Sequence, residues 1–215
     1  MSSLLFFTDE SQVFVATDTL VTSQDGKPSA FTTKAFIVPH IKLIIAGVGI
    51  QGFLGRWFVH INDKLVVRGI ENLDYHTARS LASLWRRYKQ ELSIPDALTT
   101  TIYHFGFSET TGLIDSYAYR SANDVRSEPL EGYGLRLKPE CTVPEAYSFP
   151  GDLRKMMGEQ RAIQAAKPKD ERLYIGGEIQ VHHLMKSGFQ VYTVDRFEDY
   201  ASDETAIYDN FERQR

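Results

Sequence analysis

The sequence is poor in cysteine and has no long apolar segment, and both absences restrict what the protein can be. Its single cysteine among 215 residues, Cys141, excludes an intramolecular disulfide framework and favours a reducing compartment, so we expect a cytoplasmic protein. No run reaches the ~20 apolar residues that a membrane-spanning helix needs. No basic residue precedes the apolar run near the amino terminus, as a signal peptide would require. A formal net charge of −4 without a basic stripe argues against a nucleic-acid partner.

Residue patterns typical of metal and hydrolase sites are missing as well. His182 and His183 are neighbours on a predicted strand, so their side chains would point to opposite faces and could not share one metal ion. The sequence contains no H-x-x-x-H or C-x-x-C spacing and no G-x-S-x-G motif. We therefore predict no metal site and no cofactor.

Aromatic and β-branched residues are abundant, and they predict sheet. The chain has thirteen Phe and eleven Tyr. Two short apolar runs at 3–8 and 12–17, separated by polar residues, predict a hairpin. A second hairpin is predicted over 34–39 and 42–48. Further strands are predicted at 98–107, 112–120, near 130–137, 177–185 and 189–194.

Helical periodicity appears in three places. Apolar residues recur at helical spacing over 51–67 and 75–92, where Trp57 and Trp85 are interpreted as core residues. A third helix is predicted at 152–166. This order of elements indicates antiparallel sheets covered by helices, which is the α+β class. We expect one domain over residues 1–196 and an acidic, turn-rich extension over 197–215.

The amino terminus carries an unusual arrangement of ionisable residues. The stretch MSSLLFFTD begins a strand almost at once, although chain termini usually fray unless something holds them. Asp18 lies sixteen positions after Ser2, and Lys34 lies sixteen positions after Asp18. Asp18 ends one predicted strand and Lys34 begins another. The ends of antiparallel strands lie together, so these three side chains are predicted to meet at one rim of a sheet.

The segments VATDT, TTKAFIV and IIAGVG, in this element order, resemble those of the proteasome β-subunit type of N-terminal-nucleophile hydrolase, including its bacterial relatives. The later stretch IGGEIQV is similar to the closing part of that fold. The resemblance covers residues 2–70 and 150–194 and implies a four-layer αββα sandwich of two antiparallel sheets. It also implies self-association into rings and a peptide or amide substrate, and it leaves room for an unfoldase partner.

The resemblance assigns roles to individual residues of this chain. Ser2 would be the nucleophile once Met1 is removed, with Asp18 and Lys34 beside it. The N–H of Gly47 would face the developing oxyanion. The substrate would contact three more residues: Thr22, Val48 and Gly49.

Elementary chemistry explains why such a site needs a free amino terminus. An α-amino group has a pKa of roughly 7.7–8.0, so part of it is neutral near pH 7 and can act as general base on the hydroxyl of its own residue. A nearby Lys34 ammonium would lower that pKa by repulsion, and Asp18 would hold the lysine in place.

The sequence leaves two functions open. The set of Ser2, Asp18 and Lys34 favours an amide hydrolase. The family's later partners of the amino terminus have no counterpart, because Tyr133 and Arg172 stand near those positions. This departure favours a non-catalytic ring subunit of the same fold.

Overall fold

The computed structural model describes residues 3–23, 25–50 and 52–213, which form two five-stranded antiparallel sheets and a two-stranded ribbon. The first sheet has the strand order β10 (Gly134–Lys138), β1 (Leu4–Thr8), β2 (Gln12–Asp18), β11 (Glu178–Met185) and β12 (Gly188–Arg196). The second sheet has the order β5 (Ala35–Val38), β6 (Leu43–Val48), β7 (Thr101–Phe107), β8 (Ile114–Arg120) and β9 (Ser127–Pro129). Both predicted hairpins, β1–β2 and β5–β6, are confirmed.

The turn between β1 and β2 shows how a local signal produces the first hairpin. Asp9 accepts hydrogen bonds from the backbone N–H groups of Ser11 at 2.7 Å and Gln12 at 3.0 Å, which closes the turn with a side chain. Leu4 then pairs with Thr17 and places the first described residues beside the end of β2.

The ribbon was missed by the sequence interpretation. It pairs β3 (Leu20–Thr22) with β4 (Pro28–Phe31), where the sequence indicated only a polar stretch with a turn. These strands are three and four residues long, too short for periodicity to distinguish them from loop.

Four helices accompany the strands: α1 (Phe53–Lys64), α2 (Ile70–Leu92), α3 (Leu153–Ala165) and α4 (Tyr200–Arg213). Helix α2 begins five residues before its predicted start at 75. Its amino terminus is capped by Glu109, whose carboxylate accepts the N–H groups of Glu71 at 2.9 Å and Asn72 at 3.0 Å. Because Glu109 lies in the turn between β7 and β8, the sequence around residue 70 does not predict this start of the helix.

Helix α4 replaces the turns predicted within the carboxyl-terminal extension. Its first residue, Tyr200, stacks on Phe31 of β4 with ring centroids 4.8 Å apart. Asp199 beside it accepts a hydrogen bond from Arg161 of α3 at 2.8 Å. Tertiary contacts of this kind, rather than a strong helical pattern, hold the segment as a helix.

Three buried clusters lie between these elements. One contains Trp57 and Trp85, which confirms their assignment to the core, and it joins α1 and α2 to the second sheet. A second includes Phe6 and Phe105 and lies between the sheets. A third includes Met157 and joins α3 to the first sheet. The α+β class with antiparallel sheets is confirmed, and the αββα stacking stays a prediction that these clusters support. No helix in the described part of the chain is long and apolar enough to cross a membrane.

Candidate active site

Asp18 is the buried centre of a hydrogen-bond network at the end of β2. Its side chain is fully buried, and one carboxylate oxygen, Oδ1, accepts both the backbone N–H of Ser3 and the Nζ of Lys34, each at 2.9 Å. The other oxygen, Oδ2, accepts the N–H of Gly176 at 3.2 Å. Both oxygens are therefore occupied, which is what a buried carboxylate requires.

Lys34 completes the predicted ion pair. It lies just before β5, and its Nζ also donates to the carbonyl oxygen of Leu20 at 2.7 Å. Only 9% of its side chain is exposed. The amine is therefore fixed between Asp18 and the backbone, and its position is set by two strands and a loop.

A glycine pair brings the loop before β11 against this network. Gly176 accepts hydrogen bonds from the N–H groups of Thr19 at 3.3 Å and Leu20 at 3.1 Å. Gly177 has a φ of +79°, and a Cβ there would lie 2.4 Å from Thr19 Oγ1. Only glycine fits this close approach. The segment IGGEIQV, noted in the sequence for its family resemblance, thus contacts the Asp18 network directly.

Ser2, the predicted nucleophile, lies outside the described residues. Ser3 follows it, is completely buried, and donates its N–H to Asp18. Because one oxygen of Asp18 receives both Ser3 and Lys34, the Ser3 nitrogen and the Lys34 amine lie within two hydrogen-bond lengths of each other. The described chain thus starts beside the ion pair.

Sequence reasoning missed Gln160, which contacts the start of β1 from α3. Its side-chain oxygen accepts the hydroxyl of Ser3, and its side-chain nitrogen donates to the carbonyl of Pro139. Gln160 and Gln164 are both buried on a helix face that also carries Leu153 and Met157. Both glutamines stand at positions where the helical periodicity of α3 predicts apolar residues, and this departure is the sequence signal that could have identified them.

A cavity of about 460 Å³ opens beside Lys34. Its apolar part includes Phe36, Leu54 and Ile102, and Gly52 and Gly55 also line it. Its polar wall includes Thr22, Lys169, Asp170 and Arg172, together with Lys34 itself and several hydroxyl residues. A pocket of this size, lined by both apolar and polar residues, is large enough for a small molecule or a peptide side chain.

The residues expected to contact substrate line this cavity. Thr22 on β3 and Val48 at the end of β6 both face it, as does Gly49. Gly49 has a φ of +125°, and a Cβ there would lie 2.5 Å from the carbonyl oxygen of Thr99. Their role in binding substrate stays a prediction.

Gly47 also lines the cavity, but its N–H is already used. It donates to the carbonyl oxygen of Lys34 at 3.3 Å. A bond of this length is at the weak end of the normal range, so a charged oxygen could compete for the donor. The oxyanion role of Gly47 stays a prediction.

The glycines around this position match the G-x-G-x-x-G spacing of dinucleotide-binding loops, with Gly47, Gly49 and Gly52 in register. That fingerprint works in a parallel βαβ unit. Strand β6 pairs antiparallel with β5 and with β7, so the structural context of the fingerprint is absent here.

Tyr133 and Arg172 do not contact the Asp18 network in the described part of the chain. The Tyr133 hydroxyl donates to the carbonyl of Ile114 at 3.4 Å. Arg172 donates through Nη2 to the carbonyls of Ala165 at 2.6 Å and Lys167 at 2.9 Å, where it caps the end of α3. Neither residue is hydrogen-bonded to Asp18 or Lys34, although Arg172 also lines the cavity.

An acidic side chain lies behind the glycine pair. Asp203 of α4 approaches Gly176, and its Oδ2 is buried without a hydrogen-bond partner among the described residues. Burial raises the pKa of the Asp203 carboxyl, and the neighbouring Asp199 raises it further, although Arg161 opposes the shift. Helix α4 therefore places near the site a carboxyl group, that of Asp203, whose charged form is disfavoured by burial and by Asp199.

Comparisons with known proteins identify similar folds at very low identity. No protein-family model and no curated protein sequence matches the chain. The fold is similar to that of Anbu (ancestral beta-subunit) from Yersinia bercovieri, with a TM-score of 0.60, 10% identity, and coverage of 99% of this chain and 94% of that one. Anbu from Hyphomicrobium sp. strain MC1 gives a TM-score of 0.59 at 11% identity, covering 99% and 95%. A mutant form of the same protein gives 0.62 at 11%, covering 100% and 96%.

These findings correct the family assignment made from the sequence. The motifs were interpreted as those of proteasome β-subunit-like N-terminal-nucleophile hydrolases, and as a statement of family membership this is wrong. The solved structures that share the fold are Anbu proteins at 10–11% identity, and no family model supports the assignment. At such identity the likeness shows the fold alone.

Proposed function

We propose that the protein is an amide hydrolase whose nucleophile is the hydroxyl of Ser2 after removal of Met1. The observation that carries the proposal is the shared oxygen of Asp18, which receives both the Ser3 N–H and the Lys34 amine at 2.9 Å. The peptide nitrogen of Ser3 is covalently bonded to residue 2, so this hydrogen bond ties the chain next to residue 2 to a buried lysine that donates to two acceptors. Burial of the Asp18–Lys34 ion pair carries a desolvation cost, and buried charged pairs of this kind cluster at functional sites.

The chemistry follows from a free amine and a hydroxyl in one residue. The neutral α-amine of Ser2 takes the hydroxyl proton while the oxygen attacks the carbonyl carbon of the substrate amide. The tetrahedral intermediate collapses as the amine returns the proton to the leaving nitrogen, which leaves an ester on Ser2. Water then adds to the ester with the amine again as base, and the acid and the free hydroxyl are released. Lys34 stabilises negative charge near the attacking oxygen.

The neighbouring cavity supports a peptide or amide substrate. Phe36, Leu54 and Ile102 offer an apolar surface for a side chain next to the bond that is cut. Thr22 lies on a short ribbon strand whose backbone could pair with an extended substrate.

A non-catalytic subunit is the second candidate, and one observation favours it. The Gly47 N–H is engaged by the Lys34 carbonyl at 3.3 Å rather than free to receive an oxyanion. In such a subunit the Asp18–Lys34 pair would serve only to anchor the first strand.

We further propose that the protein self-associates, into rings or stacks of rings, with or without an unfoldase partner. The fold similarity to proteins titled ancestral beta-subunit supports association of subunits. The single cysteine supports action in the cytoplasm.

Intact-mass spectrometry with an amine-engaging warhead tests the enzyme proposal. Met1 is expected to be absent from the purified protein. A peptide epoxyketone, which closes a ring with a hydroxyl and the adjacent free amine, is expected to add once per chain, and peptide mapping should place the adduct on Ser2 rather than Ser3.

Two substitutions at one position provide the matched comparison. Ser2→Ala should abolish both labelling and hydrolysis of fluorogenic peptide amides. Ser2→Thr should keep both, since threonine has the same hydroxyl and amine. If Met1 is retained and Ser2→Ala equals the wild type in every assay, the second candidate is correct.

A further inference from the structure

The first described residue is held from two directions, and the second of these contacts has no role in the chemistry above. Ser3 donates its backbone N–H to Asp18 and its hydroxyl to the side-chain oxygen of Gln160. Asp18 belongs to β2 and Gln160 to α3, so the two partners approach Ser3 from different layers. All three side chains are completely buried.

The orientation of the Gln160 amide is determined by its other partner. Its nitrogen donates to the carbonyl oxygen of Pro139, just after β10. Rotating the amide by half a turn would set two oxygens against each other, because a carbonyl has no proton to donate. The amide oxygen must therefore face Ser3, and the Ser3 hydroxyl must donate to it.

This arrangement closes the end of a strand pair. Leu4 pairs with Lys138 in the β1–β10 ladder, so Ser3 and Pro139 lie at its end. Gln160 is hydrogen-bonded to both Ser3 and Pro139, and so links the two strands just beyond the last pair of the ladder. A buried amide satisfied on both atoms fixes geometry more strictly than apolar packing, which has no direction.

We propose that Gln160 is a positioning residue that sets where the Ser2 hydroxyl stands relative to the Asp18–Lys34 pair. Ser2 is one peptide bond from Ser3, so rotation or sliding of Ser3 would move the hydroxyl by a similar amount. The inference rests on the proposed function of Ser2. Gln160 would act through Ser3, to which its side-chain oxygen is bonded.

The test compares two buried glutamines on the same face of α3. Gln160→Met keeps length and apolar contacts but removes both hydrogen bonds. Gln164→Met makes the same change one turn later, where the amide accepts the Leu173 N–H at 3.2 Å instead. Gln160→Met leaves two buried partners unpaired and Gln164→Met leaves one, so the stability of both is measured, and only Gln160→Met breaks the link to Ser3.

Steady-state kinetics on fluorogenic peptide amides is the first readout. Because a misplacement of about 1 Å can cost about 100-fold in rate, Gln160→Met is expected to lower kcat about 10- to 100-fold with little change in KM. Ser3→Ala removes the same bond from the other side and should match it, and the double variant should be no worse than either single. Gln164→Met should keep kcat within about threefold. Equal losses in the two glutamine variants, or additive losses in the double, would overturn the proposal.

A pH profile gives a signature that mere destabilisation would not produce. In Gln160→Glu the protonated carboxyl can accept from Ser3 and donate to Pro139, whereas the ionised form presents an oxygen to the Pro139 carbonyl. Its activity relative to wild type at the same pH should therefore be highest in acid and fall as the pH rises. A flat ratio would count against the positioning role.

Hydrogen–deuterium exchange separates this inference from the proposed function. The amino-terminal peptide containing the Ser3 amide should exchange at least tenfold faster in Gln160→Met than in wild type, and not in Gln164→Met. Unchanged protection would overturn the proposal whatever the activity. If protection is lost but wild-type protein neither hydrolyses amides nor reacts with the epoxyketone, the proposed function fails and Gln160 is only a structural contact. Should Gln160→Met not fold, Ser3→Ala decides by the same two readouts.

Discussion

Burial makes Lys34 and Asp18 a different kind of ion pair from the others in the chain. The pair from Lys27 to Asp25 has a similar separation, 2.8 Å, but 74% and 55% of those side chains are exposed. Asp18 is fully buried and has no access to water that could replace a lost partner. Removal of one member therefore leaves an uncompensated charge in the interior.

Lys34→Ala is expected to destabilise the protein by about 3–5 kcal/mol, because it strands the Asp18 carboxylate and leaves the Leu20 carbonyl unpaired. Urea unfolding followed by fluorescence measures the loss. Lys27→Ala is the control and should leave the midpoint unchanged, since its pair is exposed to solvent. Near-wild-type stability of Lys34→Ala would mean that the pair is not buried in solution.

Individual residues also mark the limit of prediction from sequence. Asp18 and Lys34 could be found because each stands at the end of a recognisable strand, and strand ends meet in antiparallel sheets. Gln160 could not be found with a partner, because it meets Ser3 across 157 positions of sequence. Only its presence on an apolar helix face indicated that something buried needed a hydrogen bond.

At the scale of elements, each five-stranded sheet contains a buried histidine whose pKa is held well below its usual value by burial. His104 on β7 accepts the indole N–H of Trp57 at 2.9 Å, and burial lowers the pKa of its ring to about 3. His182 on β11 is also buried, and burial lowers its pKa to about 4. An unfolded histidine titrates near 6.5, so the unfolded chain takes up these protons first as the pH falls.

The free energy of unfolding is therefore expected to decrease as the pH falls from about 6.5 toward 4, by up to about 1.4 kcal/mol per pH unit for each buried ring. Well above pH 6.5 these rings are neutral in both the folded and the unfolded state, so they no longer change the free energy of unfolding with pH. His182→Gln should reduce this slope in urea titrations at a series of pH values. His40→Gln, at an exposed position, is the control for loss of a histidine. If the free energy of unfolding depends on pH equally in His182→Gln and wild type, the lowered pKa of His182 is contradicted.

Helix α4 is the element that sequence patterns described least well. Its docking depends on the Phe31–Tyr200 stack and on Arg161. We expect Tyr200→Ala to raise the exchange rate of α4 amides about tenfold, because aromatic stacking contributes on the order of 1 kcal/mol beyond buried area. Tyr208→Ala, at a position 65% exposed, should leave exchange unchanged. Equal protection in both variants would show that α4 is held by other contacts.

The contrast between elements has one physical cause. The β1–β2 hairpin could be predicted because its turn is closed by a residue within it, Asp9. The start of α2 and the whole of α4 could not, since Glu109 and Phe31 stabilise them from distant parts of the chain. Local patterns report local interactions, and these two helices depend on tertiary ones.

At the scale of the molecule, the first sheet is assembled from both ends of the chain. Strands β1 and β2 pair with β10 and with β11, which lie more than a hundred residues away. The order along the chain of the strands in this sheet was predicted, but which strands pair with each other was not. Pairing between distant segments leaves no periodic pattern in the sequence. Such nonlocal sheets fold more slowly than helical proteins of the same size.

Self-association is the expectation that belongs to the whole molecule. If the proposed self-association occurs, sedimentation velocity at micromolar concentration should give species heavier than the 24.5 kDa chain. Dilution should shift the distribution toward smaller species if association is reversible. A stable species at the mass of one chain would contradict it.

The burial of Ser3 has a practical consequence for making the protein. A purification tag placed upstream of Met1 would be joined two residues before Ser3, whose N–H is bonded to Asp18, and would remove the free amine on which the proposed chemistry depends. A carboxyl-terminal tag would extend from the end of α4, at Arg213, and keep the amine available. Protein made with the first kind of tag should thus regain labelling only when a protease cuts immediately before Ser2.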